Sequence, residues 1–367
     1  MFEVCAPVCF FLGANTPSGF VGYLDDLYDE RDGWRAYLIK SGPGSGKSTL
    51  MRSVLRRATE AGEQAEVILC SSDPSSLDGV ILRKHKLCIL DATAPHIIEP
   101  KYWGAVETIV DLGSCMDNAQ LHAHAAEVIA ATDACADTHA RCRKFISAAS
   151  SLLADSARVA LTCTDADKVV RTATRLAQRE FPAATGREGR ERRRFLSAIT
   201  PVGSVMFHET VRTLCPRLYV LEDEYGAASR LLLAQLRQRA LDAGLEIITC
   251  ACPLAPYEKP EHLLIPELGL GFTTSNSWHR AEAPAYRRIH ASRFTDESKI
   301  KERRQLLSFN RRAAKELLGE AVNIAAEAKA QHDAMEVYSI AAMDREAVAR
   351  LSARIGDEIM AQIEKGT

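Results

Sequence analysis

The stretch SGPGSGKST, at residues 41–49, places closely spaced glycines directly before a lysine, a serine and a threonine. Glycines have no Cβ, so the backbone N–H groups of such a stretch can turn inward and surround an anion. A short apolar strand, RAYLIK (35–40), precedes it, and a helical pattern begins near Gly46, where a helix N-terminus would add partial positive charge. This context predicts a P-loop, the phosphate-binding turn of many nucleotide-binding proteins.

The P-loop interpretation assigns a role to each residue of the stretch. The predicted nucleotide-binding residues are Gly42, Pro43, Gly44, Ser45, Gly46, Lys47, Ser48 and Thr49. Lys47 is expected to face solvent and to reach the β- and γ-phosphates, and the Ser48 hydroxyl is expected to ligate Mg²⁺. The motif's usual leading glycine is Ser41 here, so Gly42 is expected to supply the turn. The plainer interpretation is a glycine-rich turn between a strand and a helix.

A carboxylate is needed beside a P-loop to hold the metal, and Asp91 is the candidate. It ends the apolar stretch KLCILD (86–91), which is typical of a strand next to the loop. We predict Lys47 and Asp91 as the catalytic residues, and Ser48 and Asp91 as the Mg²⁺ ligands. Alternatively, Asp91 caps the turn that follows. No glutamate follows Asp91, so Glu99 and His96 are the candidates for activating water, although both also fit an ordinary loop.

The segment CSSDPSSLDG (70–79) follows a second apolar stretch, EVILC. It should therefore lie at the carboxyl edge of the sheet, where open α/β sheets bind ligands. Asp73 and Asp78 are candidates for contacting a substrate or a nucleophilic water. Turn formation explains the same residues, since Asp, Pro, Ser and Gly favour turns.

The second half of the sequence repeats the first in the same order, which indicates a tandem duplication. The matching pairs are FLGANTPSG (11–19) with FLSAITPVG (195–203), RAYLIK (35–40) with RLYVLE (217–222), and DADKVVRTATRL (165–176) with DREAVARLSARI (344–355). The junction falls near TGREGRERRR (185–194), which we interpret as a solvated linker; the alternative is a set of arginines that bind a phosphate of a neighbouring subunit.

This repeat predicts an α/β protein made of two tandemly duplicated P-loop-type domains with parallel sheets. Each domain is expected to carry a helical hairpin as an appendage, because long alanine-rich stretches with little Pro or Gly close each half. The first domain spans 1–184, with its helical arm at about 117–180. The second spans 185–367, with its arm at about 296–366.

Composition narrows the classes of partner and compartment. The 46 basic and 48 acidic residues nearly cancel, giving a net charge of −2, so neither nucleic acid nor an anionic membrane is the expected partner. Eleven cysteines lie mostly in apolar stretches without Cys-x-x-Cys pairs, which is typical of reduced thiols in a cytoplasmic protein. No apolar run is long enough to span a bilayer, and the start MFEVCAPVCFFLG fits a strand better than a signal peptide.

The duplicated FLxAxTPxG segment, together with GPGSGKST, CSSD, LDG and LDATAPH, resembles a family of uncharacterised bacterial P-loop ATPases, mostly from Firmicutes, that are built of two related halves. The resemblance covers essentially the whole chain. It implies that ATP or a related nucleotide binds at residues 42–49, with Asp91 near the metal. The family has no settled substrate, and some members keep a phosphate loop in both halves.

The second half departs from that pattern. Aligning Gly226 with Gly44 places Ala228, Ser229 and Arg230 at the positions of Gly46, Lys47 and Ser48, and adds the carboxylates of residues 222–224. The sequence therefore predicts one Mg²⁺-dependent ATPase site and a structural or regulatory pseudo-copy. The alternatives are a kinase with an acceptor held by Asp73 or Asp78, and a nucleotide-dependent scaffold or switch that binds a protein partner or a second copy through its helical arms.

Overall fold

The structure is a computed structural model that describes residues 8–184 and 186–365. The predicted first strand lies partly outside the described residues, since its observed part is Val8–Phe10. The elements of the first half are β1 (Val8–Phe10), β2 (Gly13–Thr16), β3 (Gly19–Gly22), β4 (Arg35–Lys40), α1 (Lys47–Glu60), β5 (Glu66–Leu69), β6 (Leu77–Leu82), β7 (Leu87–Asp91), β8 (Glu107–Asp111), α2 (Asn118–Ala123), α3 (Ala125–Thr162) and α4 (Ala166–Glu180).

The second half repeats this order with one added helix, α5. Its elements are β9 (Arg190–Arg194), β10 (Ser197–Thr200), β11 (Gly203–Met206), α5 (His208–Leu214), β12 (Arg217–Glu222), α6 (Ala227–Asp242), β13 (Glu246–Ala251), β14 (Pro260–Ile265), β15 (Leu270–Ser275), β16 (Arg287–His290), α7 (Glu297–Glu302), α8 (Arg304–Ala342) and α9 (Arg345–Lys365).

Two six-stranded sheets have the same order of corresponding strands. The first is β1-β5-β6-β7-β4-β8, and the second, read from its other edge, is β9-β13-β14-β15-β12-β16. The α/β class is thus confirmed, but the sheets are not parallel throughout: β6 runs antiparallel to β5 and β7, and β14 to β13 and β15. Strand β6 does not follow from the sequence pattern, because Asp-Pro-Ser-Ser and Asp-Gly near its start resemble a continuous loop.

The two sheets pack face to face, with helices on their outer faces. One core cluster contains residues of both sheets, including Leu38 and Ile68 of the first and Val220 and Leu264 of the second. Alternate residues of the same strands turn outward, as the two-residue period of a strand requires, and there they meet helices. The two cores therefore meet at an apolar interface between the sheets.

The repeated Thr-Pro-x-Gly segment forms the same small hairpin in both halves. The Thr16 hydroxyl donates to the Gly19 carbonyl at 2.7 Å, and Thr200 donates to Gly203 at 2.7 Å. The glycine has φ of 110° in the first hairpin and 112° in the second, a conformation that only glycine adopts readily. Phe11 and Phe195, just before the hairpins, exchange two backbone hydrogen bonds of 2.9 Å, which join the halves.

The long helices of the two halves pair with each other. Helix α3 has 38 residues and α8 has 39, and they run antiparallel: Thr132 contacts Met335 near one end, and Asp155 contacts Asn310 near the other. Buried positions recur at three- and four-residue spacings, as in a coiled coil. The predicted hairpin within each half is therefore wrong, because the main partner of each long helix comes from the other half.

The last helix of each half packs on the core of the other half. Ile355 and Ile359 of α9 join the core beneath α1, whereas Val169 and Ala173 of α4 join the core beneath α6. The predicted helical segments are present, beginning after the capping residues Asp117 and Asp296. The domain limits at 184 and 185 remain a prediction, and the two halves exchange their terminal helices across them.

The last five residues of the arginine-rich segment form a strand rather than a solvated linker, whereas residues 186–188 are exposed and irregular, and residue 185 lies outside the described residues. Arg190–Arg194 forms β9 and pairs in parallel with β13. The fully buried Arg194 donates to Glu66 of the first sheet at 2.9 Å. Burial acts to raise the pKa of Glu66, but the charges of Arg83 and Arg194 outweigh it and hold that pKa well below its usual range. The charged side chains misled the sequence analysis because they are paired across the interface between the sheets.

Among the helices in residues 8–184 and 186–365, none combines the length and the apolar character that crossing a bilayer requires.

Candidate functional site

The glycine-rich loop (residues 41–49) connects β4 to α1 at the carboxyl edge of the first sheet. Gly44 has φ of 70° and Gly46 has φ of 90°, so the chain turns twice through the left-handed region before the helix begins at Lys47. The Ser45 hydroxyl donates to the Gly42 carbonyl at 2.8 Å and stabilises the turn. The first amides of α1 have no partner within the helix and are available to an anion.

Lys47 lies across its own loop. Its Nζ donates to the carbonyls of Ser41 and Gly42, each at 3.0 Å, and lies 3.4 Å from Asp91 Oδ2. Its side chain is only 15% exposed, so the expectation that Lys47 faces solvent is wrong. The two carbonyls and the carboxylate hold the ammonium group above the loop, where an anion bound to the loop amides would meet it.

Asp91 ends β7 beside β4 and makes both of the contacts considered from the sequence. Its Oδ1 accepts a hydrogen bond from the Thr93 amide at 2.9 Å, which caps the following turn. Its Oδ2 faces Lys47. Ser48 Oγ accepts a hydrogen bond from the Leu77 amide at 3.0 Å, which ties α1 to the start of β6. Since a hydroxyl has two acceptor lone pairs, Ser48 keeps capacity for a further contact.

A buried ion pair between Asp78 and His96 lies next to Asp91. The register of β5 and β6 shifts at Asp78, which lies between the paired residues Leu77 and Gly79, and such bulges redirect a side chain. His96 Nε2 is 3.1 Å from Asp78 Oδ2, and both residues are buried. Burial acts to lower the pKa of His96, but the charge and hydrogen bond of Asp78, together with Asp91, outweigh it and raise that pKa. His96 is thus part of the site rather than an ordinary loop residue, and Asp78 lies in a strand.

Glu336 of α8 closes the loop from the other half of the chain. Its Oε1 accepts a hydrogen bond from the Gly44 amide at 3.0 Å. A Cβ on Gly44 would lie 2.9 Å from Ile340 Cγ1 and 3.1 Å from the Glu336 carbonyl, so only glycine fits beneath the helix. This contact is not predictable from the sequence, because no local pattern connects residues so distant in the chain.

The other candidate carboxylates are engaged elsewhere. Asp73 accepts hydrogen bonds from the Ser75 amide at 3.1 Å and hydroxyl at 2.6 Å, as its turn interpretation predicts, and lies 3.3 Å from Lys329 of α8. Glu99 pairs with Lys40 at 2.7 Å and is largely exposed. Neither residue contacts the glycine-rich loop through a hydrogen bond recorded within the described part of the chain.

The corresponding loop of the second half is filled by its own carboxylate. Asp223 is buried and accepts hydrogen bonds from the amides of Tyr225 at 3.2 Å, Gly226 at 3.0 Å and Ser229 at 2.8 Å. Gly226 has φ of 70°, like Gly44, but the helix begins immediately after it at Ala227. The anion site that the sequence predicts to be lost is therefore occupied from within.

Strand β15, which lies beside that loop, also lacks a carboxylate at the position that corresponds to Asp91. Strand pairing places Asp91 opposite Ile39 in the first sheet and Thr274 opposite Leu221 in the second. The hydroxyl of Thr274 lies 3.0 Å from His279 Nε2. The second half thus has neither a free cluster of loop amides nor a carboxylate at the position of Asp91.

Comparisons with protein-family models, with curated proteins and with solved structures find no match for this chain. A functional assignment therefore depends on the geometry of the site.

The pH dependence of stability should report on the Asp78–His96 pair. The pKa of His96 is raised above the value of about 6.5 expected in an unfolded chain, so its contribution is fully present below that pH. It is lost as the pH rises through the folded-state pKa. We expect the difference in free energy of unfolding between wild type and His96→Gln, measured in urea titrations, to shrink as the pH rises above about 6.5. The exposed His122→Gln is the control, and a constant difference for His96→Gln would refute the assignment.

Proposed function

We propose that residues 41–49 bind the phosphates of a nucleoside triphosphate, with ATP as the first candidate. The observation that carries this proposal is that the Gly44 amide already donates to a carboxylate oxygen, that of Glu336. The loop thus accommodates an anion, and two left-handed glycines keep its amides accessible. By this proposal the first half is a P-loop-type domain and the second half a structural or regulatory pseudo-copy. The free thiols of the described cysteines are compatible with the proposed cytoplasmic location.

The surrounding side chains fit a nucleotide bound together with Mg²⁺. Lys47 is held above the loop by carbonyls that it can release to reach the β- and γ-phosphates. Ser48 and Asp91 supply the hydroxyl and the carboxylate that such sites use to hold the metal and its water shell. Mg²⁺, when bound there, would neutralise the charge that develops on the phosphates during transfer.

ATP hydrolysis is the reaction that we propose. The buried Asp78–His96 pair lies close enough to Asp91 and Lys47 that both influence the pKa of His96. The raised pKa of His96 favours its protonated form. A protonated imidazole is better suited to stabilising the charge on a phosphate than to removing a proton from water. The kinase alternative has less support, because Asp73 and Asp78 are already engaged by Ser75 and His96.

The first test is Lys47→Ala, examined by titration calorimetry with ATP. Loss of a charge-assisted contact to phosphate should cost about 1.5–3 kcal/mol, or at least about tenfold in affinity. Arg56→Ala, an exposed position on the same helix, is the matched control and should bind as the parent does. Unchanged affinity in Lys47→Ala, or two equivalent sites per chain in the parent, would contradict the proposal.

The role of Asp91 can be separated from turn capping with Asp91→Asn. Asparagine caps a turn nearly as well as aspartate, so the hydrogen bond from Thr93 should persist. If Asp91 holds the metal, ATP binding without Mg²⁺ should remain measurable, whereas the gain in affinity from Mg²⁺ should vanish. ATP turnover should fall far more than affinity. An unchanged response to Mg²⁺ would assign the metal to another carboxylate.

Glu336→Gln should bind ATP more tightly than the parent. The carboxylate of Glu336 occupies the Gly44 amide that a phosphate would use, and a neutral amide competes less well with phosphate. We expect the affinity to rise by about tenfold, or ~1.4 kcal/mol, in the same calorimetric titration. Glu327→Gln is the control, because Glu327 is on the same helix but pairs with Arg141 of α3. Equal or weaker binding by Glu336→Gln would exclude competition.

The Glu336 contact also supports the switch alternative. A nucleotide that reaches Gly44 must displace Glu336, and α8 is paired along its length with α3. Binding would then be transmitted to the long helices. A switch should bind ATP, turn it over negligibly and change its association state, whereas an ATPase should turn it over in the absence of a partner.

A further inference from the structure

Three unused metal-ligating side chains converge in the second half, away from the glycine-rich loop. Glu261 and His262 lie in β14, and His279 follows β15. One ligand atom from each lies within 4.8 Å of the other two. Neighbouring residues of a regular strand point to opposite faces, but the register of β13 and β14 shifts at Cys250 and Ala251, opposite Glu261. This irregularity lets Glu261 and His262 contribute to one cluster.

The second ring nitrogen of each histidine has a hydrogen-bond partner outside the cluster, which allows the nitrogen beside Glu261 to keep its lone pair. His262 Nδ1 is 2.6 Å from Thr273 Oγ1, and donation from Nδ1 to that hydroxyl leaves the lone pair on His262 Nε2. His279 Nε2 lies 3.0 Å from the Thr274 hydroxyl and 3.1 Å from the Thr274 carbonyl. Donation from Nε2 to that carbonyl, which can only accept, leaves the lone pair on His279 Nδ1. Protein metal sites fix the tautomer of a histidine ligand in this way.

His262 Nε2 is a buried polar atom with no hydrogen-bond partner in residues 8–184 and 186–365. Its nearest polar neighbour in the cluster is Glu261 Oε2, at 3.9 Å, which is beyond hydrogen-bond distance. A buried unpaired nitrogen is costly unless something else satisfies it, and a metal ion would do so.

The distances suit a small divalent cation. The Nδ1 of His279 lies 3.7 Å from Glu261 Oε1, and His262 Nε2 lies 3.9 Å from Oε2. Tetrahedral zinc with bonds of about 2.0–2.1 Å separates neighbouring ligand atoms by about 3.3 Å. Each histidine nitrogen would therefore move about half an ångström towards its nearer carboxylate oxygen, and the three ligand atoms, which lie within 4.8 Å of one another, would draw together around one ion.

We propose that Glu261, His262 and His279 form a binding site for a divalent transition metal, with Zn²⁺ the best match to two imidazoles and one carboxylate. Three protein ligands leave one coordination position open, as in catalytic rather than structural zinc sites. Glu261 and His279 line a pocket of about 850 Å³, so that position can be reached by water or by a small anionic ligand.

The ammonium group of Lys259 would compete with a metal ion for the carboxylate of Glu261. Its Nζ is 2.9 Å from Glu261 Oε1 and neutralises that carboxylate when no metal is bound. Lys259 also lines the pocket, which gives the ammonium group space to withdraw. Metal and Lys259 therefore compete for the same oxygen. Removing the ammonium group should strengthen metal binding, a direction that a purely structural Lys259–Glu261 pair would not produce.

The experiment uses the full chain, stripped with a chelator and titrated with Zn²⁺ by calorimetry and with Co²⁺ by visible absorption. We expect one site per chain with a tetrahedral Co²⁺ spectrum, a loss of at least about 100-fold in affinity in His262→Gln, and tighter binding in Lys259→Met. His332→Gln is the matched control, because His332 belongs to a separate, more exposed cluster on α8.

If His262→Gln fails to fold, Thr273→Val supplies the same test. It keeps all three ligands and removes only the hydroxyl that fixes the His262 tautomer, so affinity should fall by about 10- to 100-fold. The proposal is overturned if the parent binds neither metal at one site per chain. It is also overturned if binding is the same in the parent, in the foldable His262 or Thr273 variant and in Lys259→Met, since the metal would then lie elsewhere.

Discussion

The antiparallel pairing of α3 with α8 is the constraint on which the rest of the structure depends. Because these helices come from different halves, their pairing carries α4 to the core of the second half and α9 to the core of the first. The pairing also positions α8 beside the glycine-rich loop of the first half, where Glu336 accepts a hydrogen bond from the Gly44 amide. Neither half can therefore bury its outer sheet face without a helix from the other half, and the candidate phosphate site is composed of both.

The sequence predicts the parts of the site that follow from neighbouring residues. Gly44, Gly46 and Lys47 lie within a few residues of each other. Their arrangement is restricted by the strand before them, the helix after them and the left-handed conformation of both glycines. The position of Asp91 is predictable for a similar reason, since an acidic residue that ends an apolar strand must emerge at the edge of the sheet. The predicted orientation of the Lys47 side chain is wrong because carbonyls of the loop itself accept hydrogen bonds from its ammonium group.

The parts that were not predicted depend on pairings that the sequence does not display. Asp78 was assigned to a loop because its strand begins with turn-forming residues, and only the bulged pairing with β5 shows why it faces His96. Arg194 was assigned to a linker because a basic residue is seldom fully buried, and its partner Glu66 lies on the other sheet. In each case a charged residue is buried beside an opposite charge that is distant in the chain.

The two halves differ in the origin of the carboxylate that accepts hydrogen bonds from their loop amides. This difference determines at which loop another anion could replace that carboxylate. In the second half Asp223 lies within the loop itself and accepts three amides of the turn and of the first turn of α6. That carboxylate cannot leave without undoing the turn that positions it. In the first half Glu336 belongs to a separate helix and accepts one recorded amide, that of Gly44, so its withdrawal costs a single charge-assisted hydrogen bond, about 1.5–3 kcal/mol. By the proposed function, a phosphate that contacts several amides and Lys47 would offset that cost at the first loop, whereas at the second loop it would also have to replace the contacts that fold the turn.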